Sequence, residues 1–329
     1  MMPDLSIVLA VWNTGRLLAR QLDSVLAQTW PNFEVIGIDD GSTDPETVAI
    51  LDAYAARDSR IRVIHKANEG GLKARFDGVQ SAVGRYVFIC DHDDALHRQL
   101  VEYCVKTMDE NGLDLLSFRN YRQKTPGIPD SPPLGDFGKI PVTIADSGFR
   151  CRDEKTYLWM IATFQIPVWT RCLSRSLAQN ACEPESEVGH ALRVLAHAKR
   201  WAISEARLYY YNQGNESSEM RSPVSAGLIR RRHARLVRAV EEFAAERMAK
   251  SRVWDTVLYW FVVRNVKTQM NLLRRNNRQL GVVERRAAYE AFAEEIKDFF
   301  ARGYLRQAKI PHKLKYWWIC LRYGKERSS

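Results

Sequence analysis

The chain has 329 residues, of which 46% are hydrophobic and 27% are charged, the composition of an ordinary globular protein. Its six cysteines include no C-x-x-C pair, which disfavours a zinc site and a disulfide scaffold. The N-terminal apolar run is too short to span a bilayer and lacks the basic segment of a signal peptide. We therefore expect a cytoplasmic protein with reduced, mostly buried thiols.

Positive charge is concentrated in the last third of the chain. From Arg221 onward there are 25 lysine and arginine residues against 10 aspartate and glutamate residues, a net charge of +15. The preceding 220 residues carry 24 against 29, a net charge of −5. Because opposite net charges favour different partners, we expect the two parts to face different ligands or surfaces.

The first ninety residues alternate predicted strands and helices. The β-branched runs LSIVLAV, FEVIGI, IRVIH and YVFIC predict four buried strands. Between them, TGRLLARQLDSVLAQ, STDPETVAILDAYAARD and GLKARFDGVQSAV predict helices, the second capped by Thr43 or Asp44 with Pro45 in its first turn. This order predicts an α/β fold, with a mostly parallel sheet covered by helices on both faces.

The remainder of the chain divides into an irregular stretch and a helical one. Residues 111–152 are predicted to be irregular, because QKTPGIPDSPPLGDFGKIP is rich in proline and glycine. Regular structure resumes with TYLWMIAT, and ALRVLAHAKRWAISEARLYYY predicts a helix followed by a short strand. After Ser222, three long amphipathic segments predict a helical C-terminal region.

Polar residues gather where the four predicted strands end. The first strand ends at Trp12-Asn13, the second at DDGS, the third near NEGG and the fourth at DHDD. Aspartate and glycine also form turns and caps, so any one loop has a purely structural explanation. Several such loops at the carboxyl edge of one sheet favour a binding site. Since like charges at the end of a buried strand repel, a cation is expected among the aspartates.

Together these loops resemble the family 2 glycosyltransferases of the Rossmann-like GT-A fold. The resemblance rests on VLAVWNTGRLLARQLDSVLAQTWPNFEV, DDGSTD, NEGGLKAR and DHDD, in the family order. It is close over residues 4–100 and looser as far as Ser218. It implies a nucleotide-sugar-binding half at 1–110 and an acceptor-binding half at 111–220, followed by a basic helical extension at 221–329.

The resemblance also implies a nucleotide site and a metal site. Asp93 takes the place of the direct Mn²⁺ or Mg²⁺ ligand, with Asp91 nearer the ribose and Asp94 in support. Residues i and i+2 of an extended segment point to the same side, so Asp91 and Asp93 can face one ion, which would stabilise a departing diphosphate. The implied nucleotide-binding residues are Ala10, Trp12, Asn13, Asp39, Asp40, Arg75 and Asp91.

The catalytic base is less sharply defined by the sequence. Counting back along LRVLAHAKRWAISEARLYYY, the family position falls on Glu187, where relatives carry aspartate. Glutamate can perform the same general-base chemistry. Glu183 and Glu185 stand close enough for a small alignment slip to move the assignment, and all three also fit solvated loop carboxylates.

The basic C-terminal region lies outside the shared catalytic pattern. Its last segment, KIPHKLKYWWICLRYGKERSS, interleaves basic and aromatic residues, which is typical of contact with an anionic membrane. A core-packed closing helix and a surface for a polyanionic acceptor are the alternatives, and no recognised motif supports nucleic-acid binding. A membrane contact would place the protein at the inner face of the cytoplasmic membrane.

These observations predict an inverting, metal-dependent glycosyltransferase. It would move a sugar from a nucleoside diphosphate donor, UDP by the habits of the family with dTDP and GDP open, to a hydroxyl of a growing cell-surface glycan such as a lipid-linked one. Two alternatives remain. A nucleotidyltransferase usually needs a glycine-rich basic loop after the first strand, and here only Gly15 and Arg16 are present. A non-catalytic sugar-nucleotide or glycan-binding protein would retain the aspartates without turnover.

Overall fold

A computed structural model describes residues 2–123, 133–146, 167–182, 187–215, 223–247 and 252–305. The chain divides into two compact units, Met1–Asn215 and Glu216–Ser329. The first unit is an α/β domain and the second is helical.

The N-terminal part of the first unit has the alternating pattern that the sequence predicts. Its strands are β1 (Leu5–Val11), β2 (Phe33–Asp40), β3 (Ile61–Lys66) and β4 (Tyr86–Asp91), and its connecting helices are α1 (Leu17–Leu26), α2 (Pro45–Arg57) and α3 (Gly71–Gln80). The side chain of Asp44 caps α2 by accepting hydrogen bonds from the Glu46 and Thr47 amides. The predicted parallel α/β sheet is confirmed, and the order β3-β2-β1-β4 brings the carboxyl ends of its strands to one edge.

Close packing holds α3 against this sheet. A Cβ atom at Gly78 would lie 2.4 Å from Cγ1 of Val8 on β1, so the helix can approach the strand only with glycine at this position. The core beneath the helices is formed by fully buried aliphatic and aromatic residues such as Leu9, Leu22 and Phe88. Packing of this kind fixes the position of the strand ends, because interiors are too dense to shift freely.

The rest of the first unit extends the same sheet. Its elements are β5 (Ala95–Leu96), α4 (Leu100–Asn111), β6 (Leu115–Gln123), β7 (Val142–Asp146), β8 (Arg171–Ser174), α5 (Arg175–Ala181), α6 (Glu187–His197) and β9 (Arg200–Asn212). Within the described ranges, nine strands form one sheet in which β8, β5 and β7 run against the other six. The mostly parallel sheet of the prediction is therefore confirmed.

Two expectations for this part were wrong. Residues 115–123 and 142–146 form strands inside the stretch expected to be irregular, because each pairs with the distant β9. The strand expected to be short, β9, has 13 residues, since it pairs with β5, β6 and β7 along its length. The expected element at TYLWMIAT lies outside the described residues.

The second unit contains the three helices expected from the sequence. They are α7 (Ala226–Arg247), α8 (Arg252–Asn276) and α9 (Val282–Ala301). The side chain of the fully buried Asn277 accepts a hydrogen bond from the Val224 amide and donates one to its carbonyl, at 2.9 and 3.0 Å. In the parts of the chain that the structure describes, no helix has both the length and the apolar character needed to cross a membrane. The basic and aromatic segment at 309–329 lies outside the described residues.

Candidate active site

The strand ends at the carboxyl edge of the sheet place four polar loops side by side. In the register of the parallel strands, Ala10 of β1 lies opposite Asp91 of β4, and Val11 lies opposite Asp39 of β2. Asp40 in turn lies opposite Lys66 at the end of β3. The sheet register thus brings together the loops that the sequence selected.

Asn13 organises the loop after β1. It adopts a positive φ of 46°, and its side-chain oxygen accepts hydrogen bonds from the amides of Thr43 and Asp44, at 2.8 and 3.0 Å. Its own amide donates to the Ser42 hydroxyl. The indole of the adjacent Trp12 is half exposed, so Asn13 fixes the loop while Trp12 presents a large apolar surface at the edge of the sheet.

The two aspartates at the end of β2 are buried and bound on both oxygens. Asp39 accepts a hydrogen bond from the Ser42 amide at 3.0 Å and lies 2.9 Å from Nδ1 of His65. Asp40 accepts from the amides of Glu69 and Gly70 at 2.9 and 2.8 Å. Burial by itself would raise the pKa of Asp39, but the bonds from His65 and Ser42 lower it overall. This acidic pair is tied into the loop structure.

Arg75 connects two of the predicted functional carboxylates. Its guanidinium donates to Asp91 at 2.5 Å and to Glu187 at 2.8 Å. Burial opposes the charge of Arg75, but Asp91 and Glu187 together hold its pKa well above the ordinary value. The geometry places Glu187, from the first turn of α6, beside the aspartate loop across 112 residues of sequence separation. Glu183 and Glu185 lie outside the described residues.

Asp93 is held at the edge of the site by groups from other elements. The Asn215 side chain donates to its carboxylate at 2.6 Å, and Arg20 and Asn212 donate to its main-chain carbonyl. Asp91 and Asp93 both remain partly exposed. They therefore face the edge of the sheet while their backbone is fixed.

Asp94 occupies a different environment from its two neighbours. It is fully buried, and its oxygens accept hydrogen bonds from the Tyr209 hydroxyl and the Asn212 amide, at 2.6 and 2.7 Å. Burial first, and then the charges of Asp91 and Asp93, raise its pKa well above the usual range. This geometry does not support the expected metal contact of Asp94. It anchors the loop to β9 instead.

The carboxylate oxygens of this site suit a hard divalent cation whose coordination is completed by a substrate. Among the described residues, no group of three or more histidine, cysteine or acidic side chains is arranged to hold a metal. Asp91 and Asp93 nevertheless offer two partly exposed carboxylates from residues that are separated by one position in the chain. Mg²⁺ and Mn²⁺ accept oxygen ligands, and Mg²⁺ commonly binds one or two carboxylates together with substrate phosphates. The residues present thus fit an ion that binds with a nucleoside diphosphate.

Three residues that support the site were not selected from the sequence. Asn212 is the last residue of β9 and Asn215 follows it, so both could have been found by the strand-end rule used for the other loops. Arg20 lies on α1, where its charge reads as an ordinary exposed helix residue. Its guanidinium reaches the Asp93 carbonyl at 2.7 Å, a contact that only the tertiary fold creates.

Comparison with known proteins agrees with the family resemblance found in the sequence. Residues 6–158, a little under half of the chain, match the family model for glycosyl transferase family 2, and this match confirms the resemblance drawn from the four motifs. The glycosyltransferase GlyG of Streptococcus pneumoniae is 36% identical over 120 residues, which are 36% of this chain and 40% of GlyG. The uncharacterized glycosyltransferase EpsJ of Bacillus subtilis is 34% identical over 140 residues, 43% of this chain and 40% of EpsJ.

Solved structures extend the fold similarity over most of the chain. S. aureus TarS in complex with UDP-GlcNAc superposes with a TM-score of 0.64 at 19% identity, covering 89% of this chain and 81% of that one. The mannosyltransferase PcManGT from Pyrobaculum calidifontis, in complex with GDP-Man and Mn²⁺, gives a TM-score of 0.55 at 15% identity, covering 99% and 89%. At these identities the similarity establishes the fold.

Proposed function

We propose that the protein is an inverting, metal-dependent glycosyltransferase that transfers a sugar from a nucleoside diphosphate donor, UDP in the first instance, to a glycan hydroxyl. The family 2 domain supports the reaction class. The observation that carries the proposal is the Arg75 bridge, because it joins a donor-side carboxylate, Asp91, to an acceptor-side carboxylate, Glu187, at one edge of the sheet.

The geometry of the strand ends supports the donor half of the proposed site. Trp12 offers an exposed indole on which a base can stack, and Asp40 and Asp39 shape the loop beside it. Asp93 and Asp91 would hold Mn²⁺ or Mg²⁺, which stabilises the negative charge of the diphosphate leaving group when bound. Arg75 adds a partly buried positive charge next to the same position.

Glu187 is the proposed base. Its side chain is 41% exposed, so an acceptor hydroxyl can reach it, while Arg75 fixes one of its oxygens. Glu187 takes the hydroxyl proton, and the hydroxyl oxygen bonds to the anomeric carbon as the bond to the diphosphate oxygen breaks. Attack from the face opposite the leaving group inverts the anomeric centre.

The membrane and acceptor parts of the proposal rest on charge. The net charge of +15 from Arg221 onward supports peripheral contact of the basic C-terminal region with an anionic membrane at the cytoplasmic face. A lipid-linked glycan on that face would be a suitable acceptor. No nucleic-acid partner is proposed.

Turnover with candidate donors tests the proposal. The purified chain is incubated with UDP-, dTDP- and GDP-sugars, Mn²⁺ and lipid-linked glycan acceptors, and nucleoside diphosphate release is measured with and without acceptor. We expect acceptor-dependent release of one nucleotide and a product of inverted configuration by NMR. Binding without release would indicate a non-catalytic binding protein, and pyrophosphate formation from a nucleoside triphosphate and a sugar phosphate would indicate nucleotidyl transfer. In the loop that a nucleotidyltransferase would use, Arg16 instead pairs with Glu46 at the surface.

A further inference from the structure

The turn between α8 and α9 exposes apolar residues at the end of the helical unit. Val282 and Val283, the first two residues of α9, are 77% and 82% exposed, and Leu280 beside them is only partly buried. These valines follow the short turn at Asn277–Gln279 and Gly281. A pair of adjacent aliphatic side chains this exposed at the end of a helical hairpin is a candidate contact surface.

Arginines surround this apolar pair. Residues 274–286 contain five arginines and one glutamate, and Arg274, Arg275, Arg285 and Arg286 are all exposed. Arg274 and Arg275 lie in the last turn of α8, where the helix dipole favours positive charge. Arg285 and Arg286 lie in the first turns of α9, where the dipole disfavours it. Helix electrostatics therefore does not explain this pair.

Local ion pairs neutralise only part of the positive charge of these arginines. Arg286 pairs with Glu290 at 2.9 Å, both on the surface of α9. Arg285 donates to the Leu280 carbonyl at 3.2 Å, which holds it against the turn without neutralising it. The result is an apolar end with a positively charged rim, which we call the 274–286 tip.

We propose that the 274–286 tip is a docking surface for an anionic lipid bilayer. Val282 and Val283 would enter the boundary between headgroups and acyl chains, and the arginines would contact lipid phosphates. Charge complementarity selects this partner. Two copies of the tip would repel each other, and a nucleic acid would gain little from the exposed valines. The inference deepens the membrane part of the proposed function and rests on it, but it uses described residues outside the 309–329 segment.

Vesicle flotation of the full chain tests the tip. We expect the protein to float with phosphatidylcholine vesicles that contain about 30% phosphatidylglycerol, because basic clusters bind anionic lipid. It should not float with vesicles of phosphatidylcholine alone. Replacing both valines, Val282→Ser with Val283→Ser, should weaken binding about tenfold. Replacing Arg285→Gln with Arg286→Gln should weaken it about 30-fold at low salt. The matched control is Val83→Ser, an exposed valine of the other unit at 46%, which should leave vesicle binding unchanged.

Several outcomes would overturn the inference. The tip is not the lipid contact if the chain fails to bind anionic vesicles, or if both double variants bind as the parent does. A parent that is dimeric by light scattering, with the valine variant monomeric and equally bound to vesicles, would assign the tip to a second copy of this chain. Nucleotide titration of the same variants distinguishes a wrong assignment of the tip from a wrong transferase proposal. The tip lies outside the residues assigned to donor binding, so its variants should bind nucleotide as the parent does.

Discussion

The two acidic loops of the sheet contain the same residue type but hold it in different ways. At the end of β2, all four carboxylate oxygens of Asp39 and Asp40 are engaged by backbone amides or by His65, and both residues are buried. At the end of β4, Asp91 and Asp93 stay partly exposed and are held by the side chains of Arg75 and Asn215.

We interpret this difference as that between a structural loop at the end of β2 and a proposed ligand-binding loop at the end of β4. Carboxylates whose two oxygens both accept bonds from groups of the protein stabilise the turn that they belong to. Carboxylates that share a guanidinium or an amide side chain can exchange that partner for a cation. We therefore expect substitutions in the β2 loop to affect stability first and substitutions in the β4 loop to affect turnover first.

The largest effect should come from Asp93→Asn. Losing one of the two proposed metal ligands should lower metal-dependent turnover about a thousandfold or more, equivalent to about 4 kcal/mol of transition-state stabilisation. The free energy of unfolding should change by less than about 0.5 kcal/mol, because Asp93 is partly exposed. Steady-state kinetics with varied Mn²⁺, beside thermal unfolding, measures both quantities. Glu110→Gln, on the exposed surface of α4, is the control.

The next largest effect should come from Glu187→Gln. An amide of the same size cannot remove the proton from the acceptor hydroxyl. We therefore expect kcat to fall about 10²-fold to 10³-fold, while donor affinity changes little. Single-turnover measurements over a range of pH check this assignment. If Glu187→Gln keeps full activity and Glu185→Gln loses it, the base has been misplaced by two residues.

Asp40→Asn should lower stability more than Asp93→Asn does. Both Asp40 oxygens accept backbone amides, so an asparagine would place its NH₂ group against a buried N–H donor. We expect a loss of about 1–3 kcal/mol in the free energy of unfolding, measured by urea denaturation. Equal stability of the two variants would remove the distinction between the loops.

The smallest effect is a pH dependence of stability at His65. Its hydrogen bond with Asp39 is the largest influence and raises the pKa of His65, burial opposes the rise, and Asp52 adds to it. Because the folded pKa exceeds the unfolded value, the contribution is complete below about pH 6.5 and is lost as pH rises through the folded pKa. Since His65 is 45% exposed, it should amount to less than about 1 kcal/mol. Between pH 6 and pH 8, the free energy of unfolding should change less with pH for His65→Gln than for the parent.

Local sequence signals were sufficient for the first half of the fold. The strands β1, β2 and β4 are short and rich in buried apolar residues, and the helix α2 has a clear cap at Asp44. β6 was missed because only its first four residues, from Leu115 to Phe118, are buried and the rest face outward or are intermediate. Its strand character depends on pairing with β9, whose paired residues lie 86 to 89 positions further along the chain, and no local pattern encodes this pairing.

The candidate site was predictable in its location but less so in its roles. The strand-end rule and the family resemblance together located Asp40, Arg75, Asp91 and Asp93. They did not show that Asp94 turns inward, because that depends on Tyr209 and Asn212 on a strand placed beside it by the fold. The bridge from Arg75 to Glu187 likewise became visible only when α3 and α6 were positioned together.

The most direct measurement is calorimetric titration of UDP into the parent chain and into Asp93→Asn, with Mn²⁺ and with a chelator. The account predicts that the parent binds UDP in the presence of Mn²⁺, that chelation weakens this binding, and that Asp93→Asn abolishes the metal-dependent part while remaining folded. Binding that is equally strong with Mn²⁺ and chelator in both proteins would contradict it. In that case the β4 loop would not be the metal-dependent nucleotide site.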